Sequence, residues 1–322
     1  MTQFGRLAVI GSGPIVGFHV SAARAVGFTV EHVAARPGSG SAQRFADEHG
    51  LRHAIDDPFE LLARSNEWDS VLLAAATDHM PDLLKAACRT EKPILAEKPL
   101  ARHSTLVTQF DEFSDRIMVG YNRRFYSSVE FLRNFVQSGG PTVVQCQLPD
   151  VVPAEGSLEE RLSLVRLNSV HGFDLLRFLF GDLFLGDFIT VGGTTPGASV
   201  QFTSARGDIG TIVANWNAPA NFSIAVDRGG ERVELRPFEI ATKFVGMKVE
   251  EPTQETPIRR YLPNVVGQSV IPTTELKYKA GFFEQYVAFA SLINGGRDPR
   301  SATIHDAREA LKIAEAFHEA LR

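Results

Sequence analysis

Between residues 7 and 120 the sequence alternates short apolar runs with helix-length segments, and this rhythm narrows the available folds more than any other feature. Apolar runs at 7–10, 29–35, 70–76, 94–96 and 117–120 read as strands. Helical stretches at 15–26, 41–49 and 81–88 fall between them, the first two closed by Gly27 and Gly50. The run at 70–76 is almost wholly apolar, which suits a strand buried on both faces. Alternation through short links builds a parallel, doubly wound α/β sheet. Such sheets bind their ligands at the carboxyl ends of the strands.

The rhythm changes after Gly120. A helix is expected over 127–136, ending at Ser138-Gly139-Gly140. From about 184 to 244 the chain is β-rich, with strands expected at 188–191, 199–204, 210–216, 222–227 and 232–235. Gly229-Gly230 between the last two is a hairpin signal. Strands that follow one another through turns pair antiparallel, so this part reads as an α+β domain. Residues 246–275 carry Pro252, Pro257, Pro263 and Pro272 and read as a long surface excursion, a lid or contact arm. Helices at 282–293 and 304–321 close the chain. The 322 residues suit two domains, expected at 1–120 and 121–322, with room for the last helices to pack back near the first.

Composition bounds the function. With 44% hydrophobic and 22% charged residues the chain can bury a large core. A net charge of −5 argues against a nucleic-acid partner, which calls for a basic face. The two cysteines, Cys88 and Cys146, stand in unrelated contexts and offer neither metal spacing nor a disulfide framework. No metal site is therefore expected. Neither a signal-peptide pattern nor an apolar run able to span a bilayer is seen, so the expected setting is cytoplasmic and without membrane contact.

Four segments carry chemistry. In Gly11-Ser12-Gly13-Pro14-Ile15-Val16-Gly17, Gly11 permits a tight turn and Gly13 lets the backbone approach a pyrophosphate. Pro14 suits the first helical position. The usual third glycine falls at Val16, with Gly17 one place later, which implies looser helix–strand packing or a shifted helix start. The second strand ends Val33-Ala34-Ala35-Arg36-Pro37, without the carboxylate that would bind a ribose 2′-hydroxyl. Arg36, with Ser39 and Ser41 nearby, instead favours a 2′-phosphate and hence NADP(H), NAD(H) being the alternative. The small residues ending at Ala76, before Thr77 and His79, would let a cofactor lie close to the backbone, although His79 equally suits a helix start.

Glu97-Lys98-Pro99 places an ammonium group at a strand end, where it could stabilise an alkoxide-like oxygen. Glu97 would point to the opposite side, to anchor the lysine loop or contact cofactor, and the Lys98–Pro99 bond is a candidate cis peptide. The same residues also suit a surface turn with a solvated ion pair. Finally, Asn168, His171 and Asp174 fall three apart, on one stripe if helical. His171 is then a candidate general acid/base. Taken alone, the segment reads more readily as a core histidine bonded to Asp174.

Together these segments resemble the glucose–fructose oxidoreductase / inositol dehydrogenase / MocA (Gfo/Idh/MocA) family over essentially the whole chain. The resemblance rests on Gly11-Ser12-Gly13 with His19, Thr77-Asp78-His79, Glu97-Lys98-Pro99, Gly120-Tyr121-Asn122-Arg123-Arg124-Phe125, His171-Gly172-Phe173-Asp174 and Asn215-Trp216-Asn217-Ala218-Pro219. It implies a Rossmann domain, a second domain with a large open, mostly antiparallel sheet, an active site in the cleft between domains, and a homodimer or homotetramer through that sheet. It makes Lys98 and His171 the catalytic pair, with Asp174 and Asn168 positioning substrate and histidine. The expected cofactor contacts are Gly11, Ser12, Gly13, Pro14, Ile15, Val16, Ala35, Arg36, Ala76, Thr77, His79, Glu97, Lys98 and Arg124.

One departure stands out. Many members have an aspartate four residues before the histidine; here Leu167 occupies that place. The resulting expectation is hydride transfer between NADP(H) and a carbinol or carbonyl carbon of a sugar, polyol or sugar derivative. Two alternatives stay open: a non-catalytic dinucleotide-binding sensor or partner protein, and a redox-neutral enzyme with tightly held cofactor. Substrate choice is expected to lie in 151–166 and 246–275.

Overall fold

The computed structural model describes residues 4–153, 155–192, 196–272 and 276–322. The chain divides into two compact units, Met1–Phe125 with Thr273–Ala316, and Tyr126–Pro272 with Phe317–Arg322. The last two helices thus fall mainly in the first unit; the sequence boundary at 120/121 counts them with the second domain while leaving them room to pack back near the first.

The first unit is built on six strands: β1 (Arg6–Ile10), β2 (Thr29–Ala34), β3 (His53–Ile55), β4 (Ser70–Leu73), β5 (Ile94–Ala96) and β6 (Ile117–Val119). They lie in the order β3-β2-β1-β4-β5-β6, and every pairing is parallel. The helices are α1 (Pro14–Val26), α2 (Ser41–His49), α3 (Pro58–Ala63) and α4 (Met80–Cys88). The order reverses between β1 and β4, the switch point at which doubly wound sheets bind ligands. Helix α1 ends on Gly27 at φ 118°, a left-handed cap that glycine adopts without strain. Two helices from the end of the chain, α8 (Phe282–Ile293) and α9 (Ile304–Ala320, whose final turn belongs to the second unit), complete the set. Phe282, Tyr286 and Phe289 of α8 join Val16, Val20 and Phe28 in one buried cluster.

The second unit carries an eight-stranded sheet in the order β14-β13-β12-β11-β7-β10-β9-β8. Its strands are β7 (Val143–Gln147), β8 (Leu183–Val191), β9 (Gly197–Ser204), β10 (Ile209–Ala214), β11 (Ser223–Arg228), β12 (Glu231–Leu235), β13 (Ile240–Glu250) and β14 (Arg260–Val270). All neighbours are antiparallel except β7 and β10. The helices α5 (Ser127–Gln137), α6 (Leu158–Ser163) and α7 (Val170–Phe180) accompany it. Strands β3 and β7, like β13 and β14, have no counterpart in the sequence reading; β3, His53-Ala54-Ile55, is not the continuous apolar run that the equally short β5 and β6 are.

The excursion expected over 246–275 is instead the outer hairpin of this sheet: β13 and β14 pair from Ile240–Val270 through Glu250–Arg260. Pro252 and Pro257 lie in its connection, and Pro263 sits on the edge strand, where a missing N–H is tolerated. Residues 273–275 of that segment, and residue 154 of the expected 151–166 specificity segment, lie outside the described residues. The segment 215–219 lies beyond the end of β10 as a turn rather than within the sheet.

Candidate active site

A cavity of about 720 Å³ opens at the ends of β1, β2 and β4. Gly11, Ser12 and Gly13 form its floor, Ala35 and Arg36 one wall, and Ala76 and His79 another. Gly11 has φ +121°, and an added Cβ would stand 2.2 Å from the carbonyl oxygen of Ala74. Only glycine fits there. Gly13 is the N-cap of α1, and a Cβ on it would meet nothing within 4 Å. The space in front of the helix N-terminus is thus open, the place where an anion meets a helix start; Val16 N–H is itself taken by the Gly13 carbonyl at 2.9 Å. Pro14 stands in the first turn, where its lack of an N–H costs nothing. Val16 is fully buried, and a Cβ on Gly17 would lie 2.8 Å from the His49 ring. The displaced glycine therefore serves the approach of α1 to the end of α2.

The wall after β2 is cationic. Ser39 Oγ donates to the Arg36 carbonyl at 2.6 Å and meets Ser41 Oγ at 2.8 Å. Arg44 donates to the Ser39 carbonyl at 3.1 Å, and its side chain lines the same cavity. Arg44 escaped the sequence reading, although its place one turn past Ser41 on α2 was the available signal. Carboxylates are near as well: Asp57 accepts from Phe59 N–H at 2.8 Å and caps α3, Asp56 accepts from Gly38 N–H at 2.8 Å, and Asp82 lines the cavity.

At the end of β5, Glu97 turns into the core. Its Oε1 lies 3.1 Å from His19 Nε2, and His19 Nδ1 lies 3.1 Å from the Tyr286 hydroxyl. His19 and Tyr286 are fully buried and Glu97 nearly so. A carboxylate only accepts, which puts a proton on Nε2. Burial, then the Glu97 charge, raises the Tyr286 pKa well above its ordinary value and keeps that hydroxyl protonated. Glu97 Oε2 accepts from the Lys98 backbone N–H at 3.3 Å, and the Lys98–Pro99 peptide is cis. A Cβ on Gly120 would stand 2.5 Å from Glu97 Oε1, so a glycine there clears the carboxylate's place. Thr77 forms the turn into α4, its carbonyl accepting from Met80 N–H at 3.3 Å, and His79 precedes that helix. Arg124 is buried, 3.4 Å from Asp306, and is not among the residues lining the cavity.

Asn168, His171 and Asp174 belong to the second unit. His171 is the second residue of α7 and is buried, as is Asp174 one turn on. Asn168 lies ahead of the helix, its carbonyl accepting from His171 N–H at 3.0 Å. Leu167 is 41% exposed, and its side chain is a hydrocarbon that can neither donate nor accept a proton. Among the described residues no group of three His, Cys, Asp or Glu side chains could hold a metal ion, and no helix is long and apolar enough to cross a membrane.

Residues 5–121 match the GFO_IDH_MocA family model, described as an oxidoreductase family with an NAD-binding Rossmann fold. The chain is similar to a myo-inositol 2-dehydrogenase of Thermotoga maritima, 21% identical over 340 residues that cover 98% of this chain and 96% of the relative. It is also similar to an inositol 2-dehydrogenase of Mycolicibacterium smegmatis, 26% identical over 88% of this chain and 83% of the relative. Among solved structures, a levoglucosan dehydrogenase in complex with NADH and levoglucosan superposes with a TM-score of 0.76 at 15% identity, over 98% of this chain and 96% of that one. That last likeness speaks to the fold.

Proposed function

From the premise that the chain belongs to the Gfo/Idh/MocA oxidoreductase family, we propose that it transfers hydride between NADP(H) and a carbinol or carbonyl carbon of a sugar, polyol or sugar derivative. The observation that carries the cofactor half is the cavity at the α1 N-terminus. Its open space before Gly13 suits a pyrophosphate, and Arg36, Arg44, Ser39 and Ser41 suit a 2′-phosphate. When bound, the nicotinamide dinucleotide supplies the hydride acceptor or donor. The names of the two inositol dehydrogenases support the substrate class.

In this reading Ser12, Gly13 and the first turn Pro14-Ile15-Val16 hold the pyrophosphate. Ala35, Ala76, Thr77 and His79 border the dinucleotide, and Arg124 is a further contact. The Lys98 ammonium donates to the substrate oxygen and stabilises it as its proton leaves. His171 takes that proton in oxidation and returns it in reduction. Asp174 and Asn168 orient the histidine and the substrate. Glu97 holds the lysine loop through His19. The protein works as a homodimer or homotetramer through its large sheet. A cytoplasmic setting is part of the reading, supported by two buried, unlinked thiols, of which burial pushes Cys88 up to about 11.

The test is a titration with NADP⁺ against NAD⁺, followed by a panel of sugars and polyols with the tighter cofactor. Lys98→Met and His171→Asn are each expected to lower single-turnover hydride transfer by about 100-fold or more while leaving cofactor affinity intact. Wild-type rates in both variants would overturn the assignment of these two residues. A clear NAD⁺ preference would overturn the role given to Arg36 and Arg44.

A further inference from the structure

Leu167 removes the aspartate expected on the approach to His171, yet a carboxylate reaches the same turn from elsewhere in the second unit. Asp150 lies three residues beyond β7, 8% exposed. Its Oδ1 accepts from Asn168 Nδ2 at 3.0 Å and its Oδ2 from Ser169 Oγ at 2.8 Å. Oδ1 also accepts from Val151 N–H at 3.1 Å. Asn168 and Ser169 lead directly into α7, and their carbonyls accept from His171, Gly172 and Phe173 N–H. The carboxylate thus grips the two residues on which the first turn of α7, and His171 within it, is built.

Two further features fix that grip. A Cβ on Gly172 would stand 2.4 Å from Leu148 Cδ2, so the glycine beside His171 is what lets α7 close on the tail of β7. On the other side the Asp150 carbonyl accepts from Asn217 N–H at 2.8 Å. The Asn217 side chain accepts from Val152 N–H at 2.8 Å and donates to the Val152 carbonyl at 2.9 Å. Asn217 has φ 60°, a left-handed conformation that asparagine tolerates better than most residues. The tail of β7, the turn after β10 and the start of α7 are therefore laced together at Asp150.

We propose that Asp150 is a positioning residue for His171, doing from β7 what an aspartate on the approach to α7 would otherwise do. It acts through Asn168 and Ser169, by hydrogen bonds rather than by its charge. The inference rests on the catalytic reading of His171, but part of its test does not. Asp150→Asn keeps an acceptor toward Asn168, and the Ser169 hydroxyl can turn to accept from the new amide. Asp150→Ala loses both bonds.

Two measurements apply to the wild type and both variants: amide hydrogen exchange at His171, Gly172 and Phe173, and single-turnover hydride transfer with dinucleotide affinity measured alongside. In Asp150→Ala, exchange at these amides is expected to quicken, and transfer to fall about 10- to 100-fold, with dinucleotide affinity unchanged. Asp150→Asn is expected to stay within about threefold of wild type on both. If Asp150→Ala does not fold, Ser169→Ala removes one of the two bonds from the other side and is expected to shift exchange in the same direction. Unchanged exchange in the variant lacking the bonds would overturn the proposal. So would an Asp150→Asn as impaired as Asp150→Ala, which would assign the role to charge. Exchange behaving as expected in a protein that passes no hydride to any sugar or polyol would uphold the positioning and refute the oxidoreductase reading alone.

Discussion

Gly11 stands with its α-carbon against the Ala74 carbonyl, at a backbone angle that only glycine adopts without strain. Gly11→Ala is expected to cost about 1–3 kcal/mol in urea denaturation and to weaken dinucleotide binding, because the Ala74–Ala76 wall must move to make room. This position was legible in the sequence, since a strand, a glycine and a helix start are neighbours along the chain. The partners of Glu97 were not. His19 lies 78 residues from Glu97, and Tyr286 lies 267 from His19, so no local pattern joins them. His19→Ala would leave the Glu97 carboxylate and the Tyr286 hydroxyl in the core without the imidazole between them. At about 1–3 kcal/mol for each orphaned group, an overall loss of about 3 kcal/mol is expected, measured as a lower urea midpoint. A loss under about 0.5 kcal/mol would mean that the imidazole does not carry this network.

Among the elements, the outer hairpin shows where reading by composition fails. Four prolines within residues 246–275 argue for a loop, but two of them mark the connection and Pro263 lies on an edge strand, where a missing N–H is tolerated. Five of the six strands of the first unit were legible because each is an apolar run bounded by its own turn; the short β3 was not. The ends of the helices carry finer information. Ahead of α9, Thr303 N–H and Oγ1 both donate to Asp306 Oδ2, at 2.8 and 3.0 Å, and Asp306 N–H returns a bond to Thr303 Oγ1. This is a capping box with aspartate in the place of glutamate. Burial opposes the Asp306 charge, but Arg124 and the Thr303 bonds outweigh it and hold its pKa below the ordinary value. A depressed carboxylate stabilises the fold fully above its unfolded value and loses that contribution as pH falls through its folded value. Asp306→Asn is therefore expected to cost about 1–2 kcal/mol at neutral pH, with the gap to wild type closing in strong acid. Chemical denaturation at a series of pH values checks it, and a gap that widens below pH 4 would contradict the ionised cap.

At the scale of the whole molecule, the order of the segments was enough to read the fold class, but the character of the large sheet's surface was not. In the structure Val249, Tyr261, Val265, Val266 and Val270 on β13 and β14 are all more than 40% exposed, as are Phe184, Ile189 and Val191 on β8. β13 and β14 pair with each other, so their exposed apolar residues lie together at one edge of the sheet, with those of β8 at the other, and clusters of this kind mark interaction sites. A second copy of the chain is the occupant proposed for them, because a closed symmetric pair buries the same patch on both partners. Such an interface brings each substitution against its own copy or a near neighbour, so like charges placed there repel. Tyr261→Glu combined with Val266→Glu should convert an assembly of two or four chains into single chains in analytical ultracentrifugation. The denaturation midpoint of the dispersed protein should become independent of protein concentration, as mass action requires once association is lost. A wild type that sediments as a single chain at every concentration, or a double variant that keeps the wild-type mass, would remove the sheet from consideration as the oligomer's interface.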